Sequence, residues 1–414
     1  MRSILRHRDC LELLKTLTLE EIDIIRKIAL HERPTREWLL GKSIWGKSKT
    51  DAIVKDLFGK NILGLQDLRG PGKGRASHIY SIRKELGHVL GIELNPSGDR
   101  TVLKDLNGRL IAKATKAASI DQSDVLASMD SNISVFLDDC GMKWNDIKAI
   151  GIGVHGLSNE ETGIVRRFLY HDEEVSVSFK EYFFQKHGVP VFISRPKYLV
   201  CLDEYLNTYI AGRKTFVNVN IGFGVGLSLF INGDYFHGFS GLAGEFGHLI
   251  VKENGKPCYC GNRGCLRTIA SYRGICMEAL SMLNEFEQEG VSHNIDKKAL
   301  EKQNYEIGVE HLIDEALLQN KLSINLFYEL GKTVGTALAM VVSLINPEIL
   351  VIHTNLVRAG DFFTAPLAIA LRRNSLSFAL RDLKLEFAEL KSYSVAEGGA
   401  VLAVMRFLQS LQTG

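Results

Sequence analysis

The chain has 414 residues, 45% hydrophobic and 24% charged, a globular composition with room for two or three domains. No uninterrupted apolar run reaches the ~18–20 residues of a membrane span, and no apolar segment with a small-residue cleavage site follows the basic start MRSILRHRDC. Membrane insertion and secretion are therefore not expected, and four scattered cysteines out of seven (Cys10, Cys140, Cys201, Cys276) fit a reducing cytoplasm better than a disulfide framework.

The net charge of +2 conceals an asymmetry. Residues 1–90 carry 18 Lys+Arg against 11 Asp+Glu, and the remainder carries 32 against 37. A basic head on a mildly acidic body suggests a polyanionic partner, although charge alone fits a solvated basic surface equally well.

In chain order, LEEIDIIRKIALHE (19–32) places Ile22, Ile25, Ile28 and Ala29 at helical spacing. Pro34 and Thr35 open a short second helix, TREWLL, with Thr35 as N-cap. After the turn GKSIWGKS, the stretch KSKTDAIVKDLF puts Thr50, Ile53, Val54 and Leu57 on one face and Lys47, Ser48, Lys49, Asp51 and Lys55 on the other. Three short helices with a tight turn before a polar-faced third make a helix-turn-helix pattern. Two β-prone runs around the tip RGPGKGR then read as a hairpin that can reach phosphates or a minor groove. The alternative is a small helical domain that binds protein. Taken with the head's charge, the pattern predicts a duplex-DNA interface. Lys47, Ser48 and Lys49 would read base edges, and Thr35, Arg36, Lys55, Lys73 and Arg75 are further candidate contacts.

From Gly87 the texture changes. VLGIEL and TVLKDLNGRLI predict strands with a turn at Asn107-Gly108, followed by a polar helix near 121–140 and the buried-type strand IKAIGIGVHG. FVNVNIGFGVGLSLFINGDYF repeats the opening, with a second turn at Asn232-Gly233. Mainly helical sequence runs from 276 to about 345, and EILVIHTNL is a further buried strand. Two halves that each open with a hairpin predict a duplicated α/β body with a cleft between its lobes.

The densest chemistry is GEFGHLIVKENGKPCYCGNRGC. His248, Cys258, Cys260 and Cys265 have the spacing of a Cys3His zinc site, and Gly261 and Gly264 let the backbone turn back so that three sulfurs converge. A redox thiol pair or an incidental cluster are the alternatives. Four protein ligands leave no open position for a substrate water, so such a metal would be structural.

GLAGEFGHLIV followed by CYCGNRGC resembles the ROK family (repressors, open reading frames and sugar kinases). The likeness extends along nearly the whole chain, through PTREWLL, IVKDL and GKGRASHIYSI in the head and GIEL, GIGVHG, INGDYFHGFSGLAGE, NPEILVI and EGGAVLAV in the body. It implies an N-terminal winged helix-turn-helix at 1–86. An actin-like or hexokinase-like α/β body would follow, with its first lobe at 87–205 and its second, bearing the zinc loop, at 206–414; the C-terminal helix may return to the first lobe. It also implies a sugar-type effector site in which Glu245 accepts bonds from hydroxyls and His248 serves both zinc and ligand.

The chain departs from the family's kinases at their working parts. Where a kinase has Asp-x-Gly-Gly-Thr, this chain has GIELNPSGD, with Glu93 for the aspartate and Pro96 removing an amide donor. The second phosphate turn is Gly222-Phe223-Gly224, and the nucleotide-side glycine cluster reads HTN from His353. Arg195-Pro196 stands where the Asn-Asp pair with the catalytic base belongs; Asp203 lies too far along to replace it. No catalytic residue, no kinase activity and no ATP are expected. Arg267 replaces a glutamate after the knot, and His155 a proline in the GVPG turn. With Arg195 and Arg267 beside Glu245 and His248, the pocket is expected to favour an anionic sugar; a degenerate pocket that binds nothing is the alternative. The expected protein is a repressor of sugar-related genes, acting as a homodimer or higher homo-oligomer on a DNA operator.

Overall fold

The structure is a computed structural model. It describes residues 13–14, 16–31, 33–68, 77–95, 98–119, 124–168, 174–207, 215–231, 234–236, 238–239, 242–290, 293–302 and 304–411. Lys73 and Arg75, the turn at Asn232-Gly233, and Pro96 lie outside these residues. The contacts divide the chain into two compact units, Met1–Ala211 with Ser392–Gly414, and Gly212–Lys391.

The first unit starts with helices α1 (Leu19–Ala29), α2 (Arg36–Lys42) and α3 (Lys47–Gly59), then the antiparallel pair β1 (Leu63–Leu68) and β2 (Ser77–Ile82). Helix α1 begins where it does because Thr18 and Glu21 form a reciprocal cap: the Glu21 amide donates to Thr18 Oγ1 at 3.2 Å and the Thr18 amide to Glu21 Oε2 at 2.8 Å. Thr35 caps α2 by accepting from the Trp38 amide at 3.2 Å. The predicted apolar face of α3 is buried at Thr50, Ile53, Val54 and Leu57.

Next come β3 (His88–Leu94), β4 (Asp99–Asp105), β5 (Leu110–Lys116), α4 (Val125–Asp139) and β6 (Ile147–Val154). They are followed by β7 (Gly156–Asn159), β8 (Ile164–Phe168), β9 (Val177–Ser178), α5 (Phe179–His187), β10 (Val191–Ser194) and α6 (Pro196–Asn207). A five-stranded sheet runs β10-β6-β3-β4-β5, with β6 and β10 parallel to β3 and the hairpin strands antiparallel. All eight residues of β6 are buried, Lys148 included, in keeping with the buried-type strand read from the sequence.

The second unit repeats the plan. Strands β11 (Phe216–Ile221), β12 (Val225–Ile231) and β13 (Asp234–Tyr235) are followed by α7 (Arg267–Ala270), α8 (Tyr272–Gln288), α9 (Lys297–Leu300), α10 (Tyr305–Leu317) and α11 (Lys321–Ile345). Then come β14 (Ile349–His353), α12 (Asp361–Asn374) and β15 (Lys384–Ala388), and the sheet order is β13-β12-β11-β14-β15. The paired openings bear out the duplication read from the sequence. Helix α11 is long and apolar enough by length and composition to cross a membrane. Its apolar stripe, including Phe327, Val334 and Leu338, instead lies in the core of this unit.

Helix α13 (Ser394–Ser410) returns to the first unit and lies flat on β3 and β6. Glycines make the approach possible: a Cβ on Gly91 would sit 1.8 Å from the Ala396 carbonyl oxygen, and one on Gly398 1.8 Å from that of Leu199. Toward its C-terminal end Ala403, Val404, Phe407 and Leu408 share one apolar core with Ile22, Ile25 and Ile28 of α1 and with Ile82 and Leu86. That core crosses residue 86, where the sequence texture changes.

Candidate functional site

The knot is built from backbone turns. Glu245, His248 and the short turn Phe246–His248 follow Gly244, whose φ of +76° brings it so close that a Cβ would meet the Leu227 carbonyl oxygen at 1.9 Å. Phe246 is buried in the core and fixes the turn. The cysteine loop closes on itself through Cys258 N–H to Asn262 O (2.8 Å) and Gly261 N–H to Cys258 O (3.0 Å). It is held against the preceding strand by the Val251 amide, which donates to the Gly264 carbonyl at 2.9 Å. Gly261 and Gly264 have φ of +92° and +71°, the left-handed region that the convergence of the three sulfurs requires.

The four candidate ligand atoms lie within 4.8 Å of one another. Cys260 Sγ is 3.7 Å from Cys265 Sγ, and Cys258 Sγ is 3.6 Å from His248 Nδ1. A tetrahedral zinc with ~2.3 Å bonds to sulfur sets sulfur–sulfur edges of about 3.8 Å, so these edges fit the ion. Burial pushes the Cys265 thiol up to about 12, and hydrogen bonds from its thiol neighbours push the same way. The backbone hydrogen bond from Asn262 holds the Cys260 thiol below its ordinary value. Three thiolates cannot share so small a volume without a cation among them.

Tyr259, between two of the ligands, is the residue the sequence reading missed. Its hydroxyl lies 3.1 Å from His248 Nε2, and the Arg267 guanidinium carbon sits 4.1 Å from the centre of its ring. Nδ1 is turned to the sulfurs; a metal bound there would leave the proton on Nε2, which would then donate to Tyr259 and fix the ring orientation. Glu245 Oε2 is 4.0 Å from the same Nε2. The structure therefore brings Glu245, His248, Arg267 and Tyr259 together. The only advance signal for Tyr259 was its position between Cys258 and Cys260. Arg195 belongs to the first unit, where its carbonyl accepts from the Tyr198 amide at 3.0 Å and Pro196 occupies the first position of α6.

Of the positions compared with the kinase phosphate loops, Glu93 and His353 are buried and Phe223 is part-buried. Glu93 is buried, and its carboxylate is met by His155 Nε2 (2.9 Å), Arg100 (3.1 Å) and Asn95 Nδ2 (3.2 Å). Burial alone would raise this carboxyl; the bond and charge of His155, with Arg100 and Asn95, hold it below its ordinary value. Two departures that the sequence presents 62 residues apart, Glu93 and His155, thus meet as a pair. Phe223 packs edge-on against Tyr272, with ring centres 5.4 Å apart. His353 is buried at the end of β14, and Thr354 Oγ1 accepts from the Leu356 amide at 3.2 Å.

On the head, Lys47, Ser48, Lys49 and Lys55 are exposed along α3. Arg36 grips Asp51 with two bonds (2.8 and 2.5 Å), joining α2 to α3, and the bond from Arg36 holds the Asp51 carboxyl below its ordinary value. Lys49 pairs with Glu20 and lies over the Trp45 ring at 4.5 Å. Lys47 and Lys55 form no ion pair with a described residue.

A family model described as "ROK family" matches residues 90–405. The DNA-binding transcriptional repressor Mlc of Escherichia coli (strain K12) is 26% identical over 352 residues, covering 84% of each chain. A putative xylose repressor of a Caldicellulosiruptor species is 25% identical over 375 residues, covering 87% of this chain and 88% of that one. The crystal structure of a ROK family transcriptional regulator, a homolog of E. coli Mlc, superposes with a TM-score of 0.75 at 23% identity, covering 95% of this chain and 98% of that one.

Proposed function

Because the chain belongs to the ROK family, we propose that it is a DNA-binding transcriptional repressor of sugar-related genes and not a sugar kinase. The observation that carries this reading is the exposed face of α3, with Lys47 and Lys55 unpaired among the described residues, standing ahead of the matched body. Helices α1 to α3 and the β1–β2 hairpin act as a winged helix-turn-helix. Lys47 and Ser48 approach base edges, and Arg36, Lys49, Lys55, Lys73 and Arg75 approach phosphates. Thr35 acts through its cap.

A homodimer or higher homo-oligomer in the cytoplasm presents two heads to a palindromic operator. His248, Cys258, Cys260 and Cys265 hold one structural zinc, which supplies the positive charge that keeps the three thiolates together. Glu245, His248 and Arg267 receive an anionic sugar effector. The self-satisfied Glu93 carboxylate supports the absence of phosphoryl transfer, since it offers no free oxygen pair to a nucleotide-bound cation.

Selection of genomic fragments by the full-length protein, followed by anisotropy titration, tests the reading. Sequence-specific binding weakened about tenfold by Lys47→Ala, with a shallower salt slope in Lys55→Ala, is the expected result. Salt-sensitive binding without sequence preference, or turnover of ATP with glucose, would overturn it.

A further inference from the structure

The first unit contains a cavity of ≈340 Å³ that belongs neither to the knot nor to the face of α3. It opens where the head meets the body. One wall comes from the end of α1, the turn after it, and the hairpin; the other comes from the β4–β5 turn and Val401 of α13. Its volume falls at the low end of the ~300–1,000 Å³ typical of small-molecule sites.

The polar lining has one sign. Arg33, His31, Lys104 and Arg109 border the cavity, and no described acidic residue does. Lys104 is matched by Glu397 at 3.0 Å, and His31 stacks on Trp38 at 3.7 Å. Arg33 and Arg109 form no ion pair with a described residue, although they come from different parts of the chain and border one space. Tyr80 also lines it; the residue is only 9% exposed, and its hydroxyl has no hydrogen-bond partner among the described residues. Two exposed guanidinium groups with no described ion-pair partner, beside the Tyr80 side chain, make a donor set suited to a compact dianion, because each guanidinium presents two parallel N–H groups to carboxylate or phosphate oxygens.

We propose that this cavity is a binding site for a small dianion, a phosphate ester or a polycarboxylate, held between Arg33 of the head and Arg109 of the body. The walls are already joined at one point. Asn107 Oδ1 accepts from the Ile82 amide at 2.6 Å, and Asn107 Nδ2 donates to the Ile82 carbonyl at 2.8 Å. A ligand bridging Arg33 and Arg109 adds a second clasp beside this one. It binds only while head and body hold this arrangement, so it favours that arrangement by its full binding free energy.

The test is calorimetric titration of the full-length, zinc-loaded protein at constant ionic strength with glucose 6-phosphate, citrate and sulfate. The expected result is saturable binding of glucose 6-phosphate, citrate or both, with sulfate weaker. In the Arg267→Ala background, which removes an arginine proposed for the other anion site, the Arg33→Ala/Arg109→Ala pair should weaken binding at least tenfold. Glucose 6-phosphate alone would identify a phosphate ester, and citrate alone a polycarboxylate. Arg33→Lys/Arg109→Lys, which keeps the charge and loses the paired donors, should fall between wild type and the alanine pair. Amide exchange at residues 79–82 should slow on binding. No saturable binding, or binding kept when the Arg33→Ala/Arg109→Ala pair is added to that background, would overturn the site. Neither readout uses DNA, so failure here is separate from failure of the repressor reading.

Discussion

The knot and the Glu93 cluster both crowd charge-bearing groups into a small volume, and they resolve the crowding in opposite ways. Glu93 is surrounded by His155, Arg100 and Asn95, so its charge is met from within the chain. The knot sets three thiols and an imidazole within 4.8 Å of one another. One site meets its charge with partners already present, and the other is a ligand set left open to the zinc proposed for it.

The largest effect should come from breaking the open site. Cys258→Ser, or a strong chelator on wild type, should take bound zinc from one per chain to background. It should cost the second unit on the order of 5 kcal/mol or more, read by metal analysis and thermal melting. Unchanged metal content and melting would remove zinc from the account.

Breaking the closed site comes next. Glu93→Ala leaves Arg100 and His155 facing each other without their anion and should cost about 3–5 kcal/mol; Glu93→Gln, which keeps the shape, should cost less. Because the folded Glu93 pKa is lowered, its contribution is present above its ordinary value of 4.5 and is lost as pH falls through the folded value. A melt series below pH 5 should therefore flatten in Glu93→Gln.

Asp99, six residues on, has the opposite sign. Burial pushes its carboxyl up to about 6, despite bonds from Ser119 and Asn95. Its contribution is complete below the ordinary 3.8 and is lost as pH rises through about 6. Asp99→Asn should stabilise the first unit at pH 7.5 by roughly 1–3 kcal/mol and remove the fall in stability between about pH 4 and 6. A mutant whose melting still falls across that window would place the titration elsewhere.

Arg267→Ala sharpens the comparison with the smallest change. It removes a half-exposed contact on Tyr259 worth ~0.5–1 kcal/mol, so melting and zinc content should barely move. Any loss of effector binding would then report ligand contact, not collapse of the knot.

How much of this was legible in advance follows from distance along the chain. The cap at Thr35, the buried face of α3, the turn at Asn107-Gly108 and the spacing of the knot are local, and turn chemistry or periodicity of 2.0 and 3.6 exposes them. The Glu93–His155 pair was visible only as two unrelated departures, because nothing in either segment signals the other. Asn107 was read as a turn residue, and its side chain proved to be a backbone mimic for Ile82. The glycines of EGGAVLAV carried a family likeness; their physical reason, a helix seated on β3, β6 and α6, needed the assembled sheet.

The placement of α13 has a consequence for the order of synthesis. The apolar core that joins α1 to the sheet is completed by Ala403, Val404, Phe407 and Leu408. Its other members leave the ribosome long before these residues are made. Until then Ile22, Ile25 and Ile28 face a gap that only the far end of the chain can fill. A nascent chain therefore carries an unfinished head until residues 403–408 have been made and have left the ribosome.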